Sequence, residues 1–339
     1  MADNVNRQIL LASRPDGVPI ADNFRLAESP VPEPGDGEAV YRTIYMSLDP
    51  YMRGRMNAGS SYAAGLELGD VMTGGTVSEV VESNLDEFRV GDFVLGGNGW
   101  QEYAVSDGRG VRKLNPADAP ISTAVGVLGM PGMTAYVGLL DVGALKDGDR
   151  VVVSAASGAV GAVVGQIAKI KGCRVVGVAG AQEKCDYVTR ELGFDACLSR
   201  HRDDLPDALA AACPDGIDVY FDNVGGDHLT AAIWGMNDRG RIIACGSIST
   251  YNETEPPPGP NNLFQIVTKR LRWQGFIVSD HPDRAPAFAK EMGGWIADRK
   301  VVWRETVHEG IENAPQAFLG LFAGGNMGKM VVRLASGDS

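Results

Sequence analysis

The sequence predicts an α/β protein in which a doubly wound parallel sheet follows a smaller β-rich region. The first third holds short β-type runs, Glu38 to Tyr45 and Gly75 to Glu82, cut by Gly, Pro and Asp punctuation. From about Thr134, longer helical segments alternate with apolar β-branched runs: Arg150 to Ser154, Arg174 to Val178, Val219 to Phe221 and Arg241 to Cys245. That alternation implies parallel strands joined by helices. The 339 residues are too many for one typical compact core and fit two domains. A content of 44 glycines, 44% hydrophobic and 22% charged residues fits a globular enzyme rich in turns. There is no repeat of solenoid length, and the one biased patch, Pro256 to Pro260, reads as a stiff loop.

Charge and cysteine usage narrow the function classes. A formal net charge of -12, without any Lys/Arg-rich run, argues against nucleic acid and anionic membrane partners. No stretch approaches the roughly 20 apolar residues of a membrane span, and the opening residues lack the pattern of a secretory leader. Cys173, Cys185, Cys197, Cys213 and Cys245 are scattered without a C-x-x-C pair, so reduced thiols and a soluble, cytoplasmic protein are expected. No cysteine precedes Cys173, and His201, His228, His281 and His308 lack metal-ligand spacing. No metal is expected, and each histidine reads as surface or structural.

The strongest chemical signal is Ala155-Ala-Ser-Gly-Ala-Val-Gly161, set between the run Arg150 to Ser154 and a helical run through Lys169. Ala156, Gly158 and Gly161 take the spacing of a dinucleotide fingerprint, with Ala in place of the first glycine. Gly158 lets the main chain approach a pyrophosphate, and Gly161 lets helix and strand pack closely. Ala159 and Val160 lead into a helix whose amino end supplies N–H groups and a favourable dipole. The alternative is a purely structural glycine turn.

An NAD-selective site places Asp or Glu at the end of the second strand. Here that strand ends Val178-Ala-Gly180. With no acid at Gly180 there is room for a 2′-phosphate, and Lys184, just inside the next helix, and Arg200, after the next strand, are candidate clamps. A charge-assisted hydrogen bond contributes about 1.5 to 3 kcal/mol, so either cation is expected to favour NADPH about tenfold or more. The alternative for each is a solvent-facing side chain, and Glu183 works against Lys184. Two further glycine turns, Phe221-Asp-Asn-Val-Gly-Gly226 and Ile242-Ile-Ala-Cys-Gly-Ser-Ile-Ser249, end apolar strands where doubly wound sheets bind ligands. Asn223 and Gly246, with Cys245, Ser247 and Ile248, are candidate contacts, or else simple strand-ending turns.

Seven motifs together resemble the medium-chain dehydrogenase/reductase superfamily, and within it the zinc-independent prostaglandin, alkenal/one and curcumin reductases. They are Asp49-Pro-Tyr-Met-Arg-Gly-Arg-Met56, Gly129-Met-Pro-Gly-Met-Thr-Ala-Tyr136, Ala155 to Gly161, Gly165-Gln-Ile-Ala-Lys-Ile-Lys-Gly-Cys173, Phe221 to Gly226, Ser249-Thr-Tyr-Asn252 and Gly325-Asn-Met-Gly-Lys329. The resemblance runs almost end to end. It implies a Rossmann doubly wound parallel sheet, residues 129–306, inserted into a GroES-like β-rich catalytic domain made of residues 1–128 and 307–339. It also implies a homodimer with NADP(H) in the cleft between the domains. On the same basis Lys184 serves the 2′-phosphate and Asn223 and Asn326 contact the cofactor. Backbone groups at Phe276, Ile277 and Val278 meet nicotinamide, and Thr134 completes the set. At Arg200 the best-known mammalian members look to have tyrosine. Where zinc-dependent relatives carry a Gly-His-Glu motif, this chain reads Leu68-Gly-Asp-Val-Met72.

Without a metal to polarise an alcohol, the expected reaction is NADPH-dependent reduction of a carbon–carbon double bond conjugated to a ketone or aldehyde. Hydride addition at the β-carbon yields an enolate that needs only hydrogen-bond donors. Tyr51 and Tyr251 are the candidate catalytic phenols, the alternative being aromatic packing. Arg53 either steers a polar substrate tail or braces the domain. The loops Gly54 to Gly65 and Tyr251 to Asn262 are expected to shape the cleft. The remaining readings are a quinone reductase and an NADPH-binding protein without turnover.

Overall fold

The computed structural model describes residues 5–59, 62–201 and 204–335. Two compact units are present, one made of residues 1–126 and 305–339 and the other of residues 127–304. Along the chain the first unit opens with strands β1 (Val5–Leu11), β2 (Phe24–Pro30) and β3 (Ala39–Ser47) and the short helix α1 (Met52–Arg55). Strands β4 (Thr76–Ser83), β5 (Phe93–Gly96), β6 (Tyr103–Ser106) and β7 (Arg112–Leu114) follow. The second unit runs α2 (Met130–Val137), β8 (Arg150–Ser154), α3 (Gly161–Ile170), β9 (Arg174–Ala179), α4 (Gln182–Arg190) and β10 (Ala196–Ser199). It continues with α5 (Leu205–Ala212), β11 (Ile217–Asp222), α6 (Gly226–Gly235), β12 (Met236–Ala244), α7 (Phe264–Thr268), β13 (Arg272–Gly275) and α8 (Ala285–Ala297). The chain then returns to the first unit with β14 (Glu305–Glu309), α9 (Ala314–Phe322) and β15 (Lys329–Arg333).

In the first unit a largely antiparallel sheet runs β14-β15-β3-β4-β5-β7, with β6 also on β3, and β1 and β2 form a separate antiparallel pair. The tail belongs here because its apolar residues complete the same core. Ile9, Leu11, Met46, Met52, Met72 and Trp100 pack with Phe318 of α9 and Met330 of β15. Phe24 stacks on Trp100 with ring centroids 5.8 Å apart, and Phe318 meets Trp100 edge-on at 5.5 Å, offset and edge geometries that aromatic quadrupoles favour.

The second unit is built on a six-stranded sheet of order β10-β9-β8-β11-β12-β13, every pair parallel. The order reverses between β8 and β11, which is the switch point at which doubly wound sheets bind dinucleotides. Its strands read as unbroken apolar runs because helices cover both faces. Val152, Val176, Tyr220 and Ile242 form the core on one side with Leu229 and Ile233 of α6. On the other, α3 comes so close that a Cβ on Gly165 would lie 1.8 Å from the Phe194 ring.

Two strands depart from the pattern read in the sequence. β12 begins at Met236 rather than Arg241, because Ile217 pairs with Met236 before a register shift carries Val219 onto Arg241. It ends at Ala244, since the N–H groups of Cys245 and Gly246 turn to the Asp222 carbonyl at 2.9 and 3.1 Å. β13 has no apolar run at all, and all its residues are exposed, as suits an edge strand. Among the described residues no helix is long and apolar enough to cross a membrane.

Candidate active site

The fingerprint residues form one tight turn between β8 and α3. Ala155 takes the left-handed conformation, with φ of 51°, and Ala156 is fully buried against Gly177, whose added Cβ would lie 2.7 Å from the Ala156 methyl. Alanine therefore suits the first fingerprint position, because the reversal has moved to Ala155. A Cβ on Gly161 would sit 2.3 Å from the Ala155 carbonyl oxygen, so this position requires glycine for the helix to leave the strand. Gly158 differs: beyond the Ala155 oxygen at 3.2 Å its added Cβ would meet open space. Ala159 and Val160 then lead into α3, whose dipole favours an anion at this end. The geometry fits a pyrophosphate laid against Gly158.

Beside this turn stands a cluster of bases. The Arg200 N–H donates to the Ala179 carbonyl at 2.7 Å, and the Ser199 hydroxyl donates to the Gly180 carbonyl at 2.8 Å, which fixes the ends of β9 and β10 together. A Cβ on Gly180 would lie 3.7 Å from Lys184 Cδ and 4.0 Å from Arg200 Nε, so the two cations flank the glycine. Burial pulls the Lys184 ammonium below its usual range, Arg200 pulls it further, and Glu183 opposes both. His228, in the first turn of α6, is drawn down to about 4 by burial and then by Arg200, against Asp227. Two bases whose protonation burial and the Arg200 guanidinium both disfavour, in a chain of net charge -12, make a place suited to a phosphate dianion. Reading the sequence assigned His228 a surface or structural role, and only the fold brings it near Arg200.

His228 yields a stability prediction. The unfolded chain titrates this ring near 6.5 and the folded chain at about 4, so neutral His228 contributes stability that is present above pH 6.5 and lost as pH falls toward 4. The gap corresponds to about 3 kcal/mol. The melting temperature of the wild type is expected to drop more steeply between pH 6.5 and 4.5 than that of His228→Gln. Equal slopes would remove His228 from the acid response.

The turn after β11 is held from beneath. Asp222 Oδ1 accepts the N–H groups of Val224 and Gly225 at 3.0 and 2.9 Å, the Tyr220 hydroxyl at 3.0 Å and the Ser154 hydroxyl at 3.2 Å. Asn223 donates its N–H to Ser154 Oγ at 2.8 Å and its side-chain amide to the Ser154 carbonyl at 2.7 Å. The turn after β12 is laced to this one, with Ile248 N–H donating to the Asn223 carbonyl at 3.2 Å. Asn223, Cys245, Gly246, Ser247 and Ile248 thus lie together at the carboxyl edge of the sheet. Burial and then Asp222 push the Cys245 thiol up to about 12, which leaves it unreactive. Tyr251 accepts the Ser247 N–H at its hydroxyl at 3.3 Å, so its phenol braces the same turn.

The other candidates of this unit lie nearby in the fold or face inward. Phe276, Ile277 and Val278 follow the carboxyl end of β13, with the Phe276 ring packed 2.6 Å from where a Cβ on Gly138 would stand. The Thr134 hydroxyl donates to the Met130 carbonyl of its own helix at 2.8 Å.

Tyr51 and Asn326 belong to the first unit. Tyr51 precedes α1 and packs against the core beside Met52. Burial, then Asp49 and Tyr62, push its phenol far above the ordinary range, and Arg55 opposes them only in part. The phenol is therefore a proton-bearing donor at neutral pH. Asn326 donates its amide to the Gly328 carbonyl at 2.8 Å. Arg53 is 3% exposed and donates to Asn57 Oδ1 at 2.5 Å and to the Gly17 carbonyl at 2.8 Å. These bonds and this burial support the bracing role over the steering one. Within the loop Gly54 to Gly65, Ser60 and Ser61 lie outside the described residues. Among the described residues no group of three or more His, Cys, Asp or Glu is placed to hold a metal ion.

The sequence singled out neither Asp222 nor Ser154, although a buried Asp ending an apolar strand before Asn-Val-Gly-Gly is a recognisable signal. Tyr62, whose phenol lies close enough to act on Tyr51, carried no motif at all.

Comparison with known proteins bears on both units. A family model described as "N-terminal domain of oxidoreductase" matches residues 7–114, and one described as "Zinc-binding dehydrogenase" matches residues 159–293. The NADPH-dependent curcumin reductase of Escherichia coli (strain K12) is 52% identical, with 98% of each chain covered. The 2-alkenal reductase (NADP(+)-dependent) of Nicotiana tabacum is 43% identical, with 99% of each covered. The crystal structure of CurA from Vibrio vulnificus in complex with NADPH superposes with a TM-score of 0.94 at 49% identity, covering 97% of this chain and 99% of that one. Likeness of this extent across both units shows that the chain belongs to the medium-chain dehydrogenase/reductase superfamily, in the zinc-independent group of curcumin, prostaglandin and alkenal reductases.

Proposed function

We propose that this protein uses NADPH to reduce the carbon–carbon double bond of α,β-unsaturated ketones and aldehydes. The observation that carries the reading is the pair of cations flanking Gly180 beside a glycine turn open at Gly158. Its relatives named for NADPH-dependent curcumin reduction and 2-alkenal reduction support it.

In this reading the 127–304 unit holds the cofactor. Gly158 and the amino end of α3 take the pyrophosphate, while Lys184 and Arg200 take the 2′-phosphate. Asn223, the turn Cys245 to Ile248, Phe276 to Val278 and Thr134 line the remainder, and Asn326 contributes from the other unit. When bound, NADPH supplies the hydride. The Tyr51 phenol donates a hydrogen bond to the substrate carbonyl oxygen and so stabilises the enolate charge that develops there. Solvent can then protonate the α-carbon. Tyr251 is the second phenol read as a donor to the substrate carbonyl, and its hydroxyl also accepts the Ser247 N–H and so holds the Gly246 turn.

The test is oxidation of NADPH and of NADH by chelator-treated protein with an alkenal, an aryl enone, a quinone and a saturated aldehyde. NADPH-dependent loss of the enone or alkenal, with the saturated aldehyde untouched, is the expected result. Tyr51→Phe is expected to lower kcat about 10- to 100-fold, at or below the usual cost of one oxyanion donor. Quinone-only turnover, activity lost to the chelator, or tight NADPH binding without any turnover would each overturn the reading.

The protein is also read as a cytoplasmic homodimer. The five cysteines are unpaired thiols, which suits a reducing compartment. The open edge β13 carries Trp273, 41% exposed, and the preceding helix α7 exposes Phe264 at 72% and Val267 at 67%. An unpaired edge with apolar neighbours favours strand pairing with a second copy about a twofold axis. Light scattering is expected to give twice the chain mass of 35.9 kDa, and Phe264→Asp with Trp273→Lys a monomer. A wild-type monomer would end the proposal.

A further inference from the structure

Lys329 opens β15 with its side chain inside the first unit, 4% exposed. Its ammonium is held in three directions. Nζ donates to the Leu48 carbonyl at 2.6 Å, to the Met330 carbonyl at 2.9 Å and to Asp49 Oδ1 at 3.1 Å. Asp49 is buried as well and accepts the Ser47 hydroxyl at Oδ2. The charged groups acting on the ammonium are Asp49 and Glu305, which stands opposite Lys329 in the β14–β15 register.

This ion pair grips the turn that carries Tyr51. Leu48 is held at its carbonyl by Lys329 and at its N–H by the Met330 carbonyl at 3.2 Å. The Met52 N–H then donates to the Asp49 carbonyl at 3.1 Å, closing the turn around Tyr51. On its other side Lys329 follows the turn that carries Asn326. Thr306 pins that turn, its hydroxyl accepting the Met327 N–H and donating to the Met327 carbonyl, each at 2.9 Å. Lys329 therefore joins the two turns, its ammonium gripping the one that bears the phenol and its main chain continuing the one that bears the amide.

A buried ion pair is a weak source of stability, since two apolar side chains of similar volume often serve as well, while loss of one partner strands a charge. The value of this pair lies in the geometry it imposes. We propose that Lys329 is a positioning residue of the reductase site, fixing the Tyr51 phenol and the Asn326 amide relative to each other through its hold on Leu48 and Asp49. The proposal rests on Tyr51 acting as the hydrogen-bond donor to substrate. Lys329 itself touches neither substrate nor cofactor.

The test uses the full chain carrying Lys329→Met, the apolar pair Asp49→Leu with Lys329→Met, and Ser47→Ala, each with and without Tyr51→Phe. Three properties are read: melting temperature, kcat on an enone, and hydrogen exchange over residues 46–56 and 324–331. The apolar pair is expected to melt near the wild type yet lose about tenfold or more in kcat, with faster exchange in both turns. In the Tyr51→Phe background that loss is expected to shrink to about twofold, because the two changes act through one group. Ser47→Ala, which leaves the charges in place, is expected to show the same pattern in smaller measure and decides the matter if the lysine variants do not fold. An apolar pair with wild-type kcat, or a loss of equal size with and without Tyr51, overturns the proposal. Unchanged exchange would show that the clamp itself is wrong. Faster exchange with Tyr51→Phe as active as the wild type would show instead that the reading of Tyr51 is wrong, and the catalytic role of Lys329 falls with it.

Discussion

Lys184→Ala and Arg200→Ala are each expected to weaken NADPH binding about tenfold to a hundredfold while leaving NADH binding within about twofold. The asymmetry follows from position. Both side chains flank Gly180 at the ends of β9 and β10, where a dinucleotide on the Gly158 turn would bring its adenosine ribose. A 2′-phosphate gives each cation a charge-assisted hydrogen bond, and a 2′-hydroxyl does not. The two losses should not simply add, because Arg200 pulls the Lys184 ammonium down in the free protein and its removal relieves Lys184. A pH signature follows from the same contact. Lys184 must be protonated to hold a phosphate, so NADPH affinity falls as pH rises through its depressed folded value, and Arg200→Ala moves that fall to higher pH. Fluorescence titration with both nucleotides checks this. Equal losses for NADH and NADPH would mean that the cations hold the fold and do not read the phosphate.

The parts of this site that were legible in the sequence are those carried by local pattern. β8, β9 and β11 are apolar runs that end in small or glycine-bearing turns, because both faces of a parallel sheet are covered and the chain must reverse at its carboxyl edge. The Gly161 requirement could be read off for the same reason. What escaped depends on partners far apart in the chain. Asp222 reads as one more polar residue at a strand end until the fold places Ser154 of β8 under it. His228 looks like a surface histidine until α6 is set near Arg200. Lys329 appeared only as the last letter of a motif, and its partners Leu48 and Asp49 stand near the opposite end of the sequence. β13 escaped for the converse reason: an exposed edge strand needs no apolar run, and its pairing with β12 is all that defines it.

Asp222→Ala is expected to cost about 3 to 5 kcal/mol of stability, and Asp222→Asn almost nothing at neutral pH. Alanine removes the acceptor for two main-chain N–H groups and two hydroxyls, all in the interior. It also frees Ser154, on which Asn223 leans, so NADPH affinity should fall with stability. Asparagine keeps an oxygen at the same place and removes a charge. Burial is the largest influence on the Asp222 carboxyl and pushes it up, although the hydrogen bonds from Gly225, Val224, Tyr220 and Ser154 pull the other way. A carboxyl bound more tightly to its proton in the folded state contributes stability that is fully present below the ordinary value of 3.8 and is lost as pH rises through the raised folded value. At neutral pH the ionised side chain is therefore a net cost, which the amide avoids. Melting curves between pH 4 and 8 should show Asp222→Asn gaining on the wild type toward the alkaline end and losing that margin toward the acid end. A margin independent of pH would show that the hydrogen bonds to Asp222 fully offset its burial, whereas an Asp222→Ala protein as stable as the wild type would show that Asp222 does not organise the turn, and the placement of Asn223 would then need another cause.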